Sequence, residues 1–532
     1  MSRTPMLGLM LDCSRNAVFT PEAVRRLIDL LSKMGYNTLQ LYTEDTYEVD
    51  GEPFFGYLRG RYTKDELRAL DAYAASRGIE LQPCIQTLAH LNAIFRWEVY
   101  KPINDQADTL LVGEERTYEL IDRMFASCAE CFTSRRIHIG FDEAFALGRG
   151  KYLDKYGKKS HAEIMMPHLA RVCELAEKYG FRPMAWGDMF FREAANGGWY
   201  GSRLICPEKI AEKIPENLDI VYWDYYHENE ASYRLMLDGF TKFRPAEELI
   251  FAGGVWSWTS MVPHNDYSIS TTRAALNVCA EVGVRDILMT LWGNDGGECS
   301  AFSLLPSLFY TAEHARGNTD MVAIKEKFLA TFGIEFDDMM ALDLPDAIGK
   351  AAYGNRNASK HGLYNDPFLG IMDGTLYEGG TAHFRRSAKK LRAIAKKGGE
   401  FAYLFDTEAK LCSLLEVKYE LGVRLRAAYK ANDREGLTVA LTDLKRARRR
   451  LEIFAAAYAD AWEREKKPQG YELQDVRLGG MLHRLDSCIK KLSEYLDGKR
   501  AEIPELCEDI LRLPSIARDW WQINTPSIIY TY

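Results

Sequence analysis

The sequence lacks long hydrophobic runs, a cysteine framework and an excess of basic charge, and each absence excludes a class of protein. The first apolar stretch, Met6 to Leu11, is too short for a signal-peptide core or a membrane-spanning helix. Eleven cysteines, odd in number and scattered, are atypical of a disulfide-stabilised secreted domain. With 68 basic and 76 acidic residues, the net charge of −8 argues against a general nucleic-acid binder. We therefore expect a cytoplasmic protein that binds neither membranes nor nucleic acid.

What is present is an ordinary globular composition, with 47% hydrophobic and 27% charged residues among 532. At about 150 residues per domain, this length predicts two to four domains. The one close cysteine pair, Cys128 and Cys131, lies in a helical pattern with no second pair to complete a zinc site. We interpret these cysteines as buried, reduced thiols.

The first part of the chain alternates β-rich runs with amphipathic helical stretches. Helix starts are marked by Thr20-Pro21 and by the capping box Thr63-x-x-Glu66. The strand candidates are residues 6–12, 38–45, 79–87, 136–143, 182–189, 218–226, 249–258 and 286–295. Eight strand–helix units predict a (β/α)8 TIM barrel. The alternative is an open doubly wound sheet, but no G-x-G-x-x-G turn follows the first strand.

The second part of the chain is helical in pattern. Apolar residues recur at three- and four-residue spacing, with charged residues on the other faces, in residues 381–397, 400–430, 434–465 and 471–497. We therefore divide the α/β chain into a catalytic barrel, residues 1–320, and an all-α C-terminal domain, residues 321–532.

Functional groups of a TIM barrel lie at the carboxyl ends of its strands. Five of the ten tryptophans fall in the last four strand candidates, near carboxylates and an arginine. Aromatic planes cover the apolar face of a sugar ring, and charged groups bind its hydroxyls. These strand ends therefore predict a carbohydrate site, although each tryptophan alone could equally belong to the core. The candidate binding residues are Arg15, His90, Trp186, Trp223, Tyr225, Trp256, Trp292, Asn294 and Glu298.

The adjacent carboxylates Asp142 and Glu143 end the fourth strand candidate, and they are the candidate catalytic residues. Two neighbouring carboxyls allow one to stay protonated as a general acid while the other stays ionised. A metal site is the alternative use of such groups. Metal-dependent barrel amidohydrolases begin with His-x-His on the first strand, where this chain has Met10-Leu11-Asp12. We therefore expect no metal and no cofactor.

The segment His138-Ile-Gly-Phe-Asp142-Glu143 resembles the His-x-Gly-Gly-Asp-Glu motif of glycoside hydrolase family 20, the β-N-acetylhexosaminidases. Phe141 departs from the motif, because a second glycine is usual there. The resemblance is greatest to the branch with an all-helical C-terminal domain, and it covers nearly the whole chain. Since residues 6–12 are already the first strand, we expect the small α+β domain that usually precedes the barrel to be missing.

The resemblance implies a retaining, substrate-assisted mechanism, in which the 2-acetamido group of the sugar attacks its own anomeric carbon. Glu143 would be the acid and base, and Asp142 would orient the acetamido group. A tyrosine would donate to the acetamido oxygen; we choose Tyr225, with Tyr226 nearly equivalent. Arg15 would bind sugar hydroxyls, and Glu298 would bind others, in competition with Asn294 and Asp295.

These features predict an exo-β-N-acetylhexosaminidase that acts on an oligosaccharide with a terminal N-acetylhexosamine. One alternative is a catalytically idle carbohydrate-binding protein on the same fold, which would have no use for the acid Glu143. Another is a glycosidase for plain β-glucosides, which would need a carboxylate nucleophile on a different strand. The sequence leaves the choice between GlcNAc and GalNAc open.

Overall fold

The structure is a computed structural model that describes residues 4–348 and 357–511. Eight parallel strands form a closed barrel, in which each pairs with its neighbours in the chain and the last pairs with the first, Leu7 opposite Ile287. In chain order the strands are β1 Leu7–Asp12, β2 Thr38–Tyr42, β3 Glu80–Cys84, β4 Arg136–His138, β5 Arg182–Trp186, β6 Asp219–Trp223, β7 Leu249–Gly254 and β8 Asp286–Leu291. The TIM barrel is confirmed.

The local signals in the sequence explain where the barrel helices begin and end. Thr20 accepts a hydrogen bond from the Ala23 N–H, and Gly35 closes the first helix with a φ of 78°. Thr63 and Glu66 form the predicted capping box. The longer helices around the barrel are Pro21–Met34, Lys64–Ser76, Glu115–Cys131, His161–Lys178, Asp188–Ala194, Glu230–Phe240, Asn265–Val282 and Leu305–Ala315.

Strand alternation separates the barrel interior from the face that contacts the helices. In β1, Leu9 and Leu11 pack with the helices, whereas Met10 points into the barrel. Across the interior, Gln40 donates a hydrogen bond to Gln82 at 2.9 Å. The barrel centre is therefore filled with side chains, and a ligand has access only at its mouth.

The C-terminal region is helical, as expected from its pattern. Its helices are Met321–Phe332, Phe336–Met339, Ala358–Tyr364, Gly380–Ala395, Ala402–Lys418, Leu421–Lys430, Arg434–Glu463, Glu472–Leu496 and Pro504–Cys507. The four longest of these pack in sequence against one another. The predicted boundary at residue 320 lies between the helices Leu305–Ala315 and Met321–Phe332. The terminal Trp520-Trp521 pair lies outside the described residues.

Backbone hydrogen bonds attach the helical region to the barrel. The Thr20 N–H donates to the Glu465 carbonyl at 2.9 Å, and the Lys467 N–H donates to the Val18 carbonyl at 2.7 Å. Cys128 and Cys131 are buried and unbridged, as interpreted above. Within the described ranges, no helix combines the length and apolar character needed to cross a membrane.

Candidate active site

A left-handed turn at the end of β4 presents the two catalytic candidates to the barrel mouth. Gly140, Phe141 and Glu143 all have positive φ, of 78°, 79° and 49°. Gly140 is also required for space, because a Cβ there would lie 1.9 Å from Oε1 of Gln86. The turn breaks the alternation of the strand, so Asp142 and Glu143 both line one cavity.

Asp142 is held as a carboxylate by two neighbours. Nε2 of Gln86 donates to its Oδ1 at 2.9 Å, and Nε2 of His90 lies 3.1 Å from its Oδ2. Burial by itself raises the pKa of Asp142, but the charge of His90 and these polar contacts outweigh burial and lower the pKa to about 2. Asp142 is therefore ionised and oriented before a ligand arrives.

His90 lies among three carboxylates. Besides its contact with Asp142, its Nδ1 is 3.8 Å from Oδ2 of Asp108 and its Nε2 is 3.8 Å from Oε2 of Glu143. Burial lowers the pKa of His90, yet the negative charge of Asp142 outweighs it and raises the pKa to about 9. A protonated imidazole is therefore part of the site at neutral pH.

Glu143 differs from its neighbour in exposure and in charge. Its side chain is 42% exposed, against 10% for Asp142. Partial burial and then the charge of Asp142 raise the pKa of Glu143, because both disfavour a second negative charge. The pair therefore divides into an ionised carboxylate and a carboxyl that retains its proton to higher pH.

Asp188, which is not among the residues expected from the sequence, supports the turn that carries this pair. Its Oδ2 accepts the backbone N–H of Glu143 at 2.9 Å, and its Oδ1 accepts the indole N–H of Trp223 at 3.1 Å. Burial and the nearby Asp142 raise the pKa of Asp188 to about 7. Asp188 thus fixes both the turn that carries Glu143 and the position of Trp223 in the cavity wall.

A chain of polar side chains connects Arg15 with Asp142 across the mouth. Nε of Arg15 donates to Oε1 of Glu44 at 2.9 Å, and the Tyr42 hydroxyl donates to the same oxygen at 3.1 Å. Nε2 of Gln86 then donates to the Tyr42 hydroxyl at 3.0 Å, as well as to Asp142. Arg15 is therefore held in position, with 23% of its side chain exposed towards the cavity.

Aromatic side chains form the other walls of the cavity. Trp186, Trp223, Tyr225 and Trp292 line it as expected, and so does Trp258, which is not among the expected residues. Trp223 and Tyr225 are stacked, with ring centroids 5.5 Å apart. Burial raises the pKa of Tyr225 well above its usual value, so its phenol keeps its proton.

Two of the expected binding residues do not line the cavity. Trp256 is buried behind Trp258, stacked at 4.3 Å, and its indole N–H donates to the Tyr225 carbonyl at 2.9 Å. Glu298 turns away from the mouth and forms ion pairs with Lys360 at 2.7 Å and Arg477 at 2.8 Å. Its buried negative charge is therefore paired with two basic side chains of the helical region.

The two alternatives to Glu298 as binding residues, Asn294 and Asp295, do lie at the barrel mouth. Asn294 and Asp295 line the cavity, and the Asp295 φ of 61° marks a tight turn after β8. His138 is not among the lining residues; it lies under Trp186, 4.2 Å between ring centroids, and burial lowers its pKa to about 3. His138 is therefore a neutral, buried side chain that packs against Trp186 in the cavity wall.

Together these residues enclose a cavity of about 300 Å³ at the barrel mouth. Charged groups from the ends of β1, β3 and β4 face aromatic rings from the ends of β5 to β8. A small ring with hydroxyl groups and apolar faces matches such a division. The cavity also places side by side a carboxyl whose pKa is lowered, Asp142, and one whose pKa is raised, Glu143, an arrangement suited to acid–base chemistry.

Two family models match the chain, and together they cover both regions. The model "Glycosyl hydrolase family 20, catalytic domain" matches residues 5–241, and the model "Glycoside Hydrolase 20C C-terminal domain" matches residues 335–518. The chain belongs to glycoside hydrolase family 20. The predicted family, and its branch with a helical C-terminal domain, are confirmed.

Relatives in this family share limited identity with the chain. Bovine hexosaminidase D is 23% identical over 282 residues, which cover 50% of this chain and 78% of that protein. The beta-hexosaminidase of Vibrio furnissii is 31% identical over 174 residues, which cover 26% of this chain and 28% of that protein. A solved family 20 exo-beta-N-acetylglucosaminidase from Vibrio harveyi is 19% identical with a TM-score of 0.46, covering 64% of this chain and 58% of that one.

The departure of this family 20 chain at Phe141 has a structural consequence. A φ of 79° is the conformation that favours glycine, the residue usual in the family motif. Phe141 is fully buried and lies 5.5 Å from the His168 ring, centroid to centroid. Packing of this ring offsets the backbone strain, so the turn that presents Asp142 and Glu143 is kept without the second glycine.

Proposed function

We propose that the protein is a retaining exo-β-N-acetylhexosaminidase that removes terminal, non-reducing β-linked GlcNAc or GalNAc by substrate assistance. The proposal rests on the different acidities of two adjacent carboxyl groups that line one cavity. The pKa of Asp142 is lowered to about 2, whereas the pKa of Glu143 is raised. Substrate assistance requires one permanent carboxylate beside the acetamido group and one proton donor beside the glycosidic oxygen.

In the proposed first step, the acetamido oxygen attacks the anomeric carbon while the glycosidic bond breaks. Glu143 gives its proton to the departing oxygen, and Asp142 accepts the acetamido N–H and balances the positive charge of the oxazolinium ring. Water, deprotonated by Glu143, then opens that ring at the anomeric carbon. Two inversions at one carbon give net retention of configuration.

The remaining cavity residues are assigned by their chemistry. Tyr225, whose phenol keeps its proton, is our choice of donor to the acetamido oxygen; Tyr226 also lines the cavity. Arg15, a planar two-pronged donor, suits vicinal hydroxyls. Asn294, which lines the cavity, would bind further hydroxyls; Glu298 is paired with Lys360 and Arg477 and would not. The aromatic walls hold the acetamido methyl group in an attacking geometry.

All eleven cysteines are unpaired and ten of them are at least partly buried. Unpaired thiols in this number are typical of a reducing compartment, so we extend the proposal to a cytoplasmic location. Fractionation of cells that produce the protein would test it.

The proposed activity is tested with aryl glycosides of β-GlcNAc, β-GalNAc and β-glucose. We expect hydrolysis of one or both N-acetylhexosaminides and none of the glucoside, which lacks the acetamido group. Hydrolysis of the glucoside at a comparable rate would refute substrate assistance, and binding of GlcNAc without any hydrolysis would support an idle binding protein instead.

Two variants separate the roles of the pair. Glu143→Gln should lose most activity on a disaccharide but retain more on an aryl glycoside, whose leaving group needs less protonation. Asp142→Asn should lose activity on both, by about 100-fold or more, because it removes an interaction made in the transition state. A near-wild-type rate for Asp142→Asn would refute its proposed role even if hydrolysis were observed.

A further inference from the structure

Two large aromatic side chains are exposed just outside the cavity, next to the proposed acid. Phe145 is 40% exposed and Trp199 is 36% exposed, and their rings meet edge to face at 5.6 Å between centroids. Neither residue lines the cavity itself. We call Phe145 and Trp199 the rim pair.

The backbone ties one member of the rim pair to the acid. The N–H of Phe145 donates to the carbonyl of Glu143 at 2.6 Å, so the two residues share one tight turn. The position of the Phe145 ring is therefore set by the same turn that sets Glu143.

The other member continues an aromatic wall of the cavity. The Trp199 ring lies 6.0 Å from that of Trp223, which lines the cavity and stacks on Tyr225. A series of neighbouring aromatic rings therefore runs from the cavity wall at Trp223, through Trp199, to Phe145.

The exposed rings are held in place by contacts with neighbouring side chains. Trp199 stacks on Tyr200 at 5.1 Å, and the guanidinium of Arg192 lies 5.1 Å from the centre of the Phe145 ring. Apolar groups exposed together beside a cavity are typical of a binding surface. Rings that are already ordered lose little conformational freedom when a ligand stacks on them.

We propose that the rim pair binds the leaving group, and that this group is a second sugar ring. The inference rests on the proposed function, because it uses Glu143 as the acid. Since the acid protonates the glycosidic oxygen, the leaving group must lie next to Glu143 and outside the cavity that holds the terminal sugar. Phe145 shares the tight turn of Glu143 and is exposed outside that cavity. A pyranose offers a flat, apolar C–H face that can stack on such rings, whereas a short alkyl group has no flat face to stack. The substrate class is therefore an oligosaccharide.

The kinetic test compares two substrates that differ only in the leaving group. One is a β-linked disaccharide of GlcNAc, and the other is β-GlcNAc fluoride, which has no ring to stack. We expect Trp199→Ala and Phe145→Ala to lower kcat/KM for the disaccharide by about tenfold each and for the fluoride by less than twofold. Trp199→Tyr, which keeps a ring, should retain more activity on the disaccharide than Trp199→Ala.

The matched control is Tyr57→Ala, since Tyr57 is a 44% exposed aromatic in a different cluster, with Phe54 and Trp97. This variant should leave both substrates unaffected. Equal losses on the disaccharide and the fluoride in the rim variants, or no loss on either, would overturn the inference.

A binding measurement keeps the inference testable without turnover. In the Glu143→Gln background, we expect the disaccharide to bind about tenfold more tightly than GlcNAc alone, and Trp199→Ala to abolish that difference. Failure of the wild type to hydrolyse either substrate would refute the proposed function, whereas equal affinity for disaccharide and monosaccharide would refute the role of the rim pair.

Discussion

The imidazole of His90 and the carboxylate of Asp142 form a buried ion pair, with Nε2 3.1 Å from Oδ2. Burial opposes both charges, but each group stabilises the other. The pKa of His90 is raised from 6.5 to about 9, and the pKa of Asp142 is lowered from 3.8 to about 2. Both groups are therefore charged across the neutral range.

This pair predicts a pH-dependent loss of stability in His90→Gln. The contribution of His90 is complete below pH 6.5 and is lost as the pH rises through about 9. That of Asp142 is complete above pH 3.8 and is lost as the pH falls through about 2. The variant should therefore be most destabilised between these limits, by roughly 3 kcal/mol, because a buried carboxylate loses its partner. Thermal unfolding against pH measures this difference, and a difference independent of pH would contradict it.

The contacts of Asp188 predict that the loss of activity in its variants depends on the leaving group of the substrate. Asp188→Ala leaves the N–H groups of Glu143 and Trp223 without their acceptor, so Glu143, the proposed acid, should lose its position. We expect kcat for a disaccharide to fall by about 10- to 100-fold. The fall should be smaller for an activated aryl glycoside, which depends less on the acid. Asp188→Asn keeps one acceptor oxygen and should lie between Ala and wild type. Equal losses on both substrates would indicate a purely structural role.

The sequence predicted the barrel and most of the mouth because both depend on local patterns. Capping residues and strand spacing define the barrel, and the strand-end rule then locates Arg15, His90, Asp142 and Glu143. Side chains in the loop after β8 follow no such rule. Glu298 is drawn away by Lys360 and Arg477, which are distant in the sequence.

The contact of Asp188 with Glu143 could not be predicted from the sequence, for a related reason. It binds the backbone N–H of Glu143, whose direction depends on a positive φ that a Glu rarely adopts. A pattern of side chains cannot report such a contact. Trp256 and Trp258 show the same limit, since both follow β7 and only packing decides which of them reaches the cavity.

A third prediction concerns the orientation of Arg15. Glu44 binds Nε of Arg15 and accepts from the Tyr42 hydroxyl. Glu44→Gln removes the charge but keeps an acceptor, so Arg15 should be held less firmly and bind sugar hydroxyls less well. We expect KM for GlcNAc glycosides to rise by about tenfold, with a smaller change in kcat. Steady-state kinetics separate the two constants, and a fall in kcat alone would argue that Glu44 acts through Asp142 instead.

The final prediction tests Glu298 as the charge that joins the barrel to the helical region. Its carboxylate and the Lys360 ammonium are each 1% exposed and lie 2.7 Å apart. Glu298→Gln leaves a buried ammonium without this partner, which should lower the free energy of unfolding by roughly 3–5 kcal/mol. Adding Lys360→Met removes the buried ammonium as well, so the double variant should be more stable than Glu298→Gln alone.

The matched control for this ion pair is Glu115, whose side chain is 72% exposed and pairs with Arg171 at 2.8 Å. Because water screens that pair, Glu115→Gln should cost less than about 1 kcal/mol. Thermal unfolding of the four proteins supplies the comparison. Two results would contradict a role of this carboxylate in joining the two regions. One is a loss of unfolding free energy in Glu298→Gln as small as that in Glu115→Gln. The other is a double variant that is less stable than Glu298→Gln by the full effect of Lys360→Met alone. A rise in the KM of Glu298→Gln without a loss of stability would instead indicate that Glu298 binds the substrate.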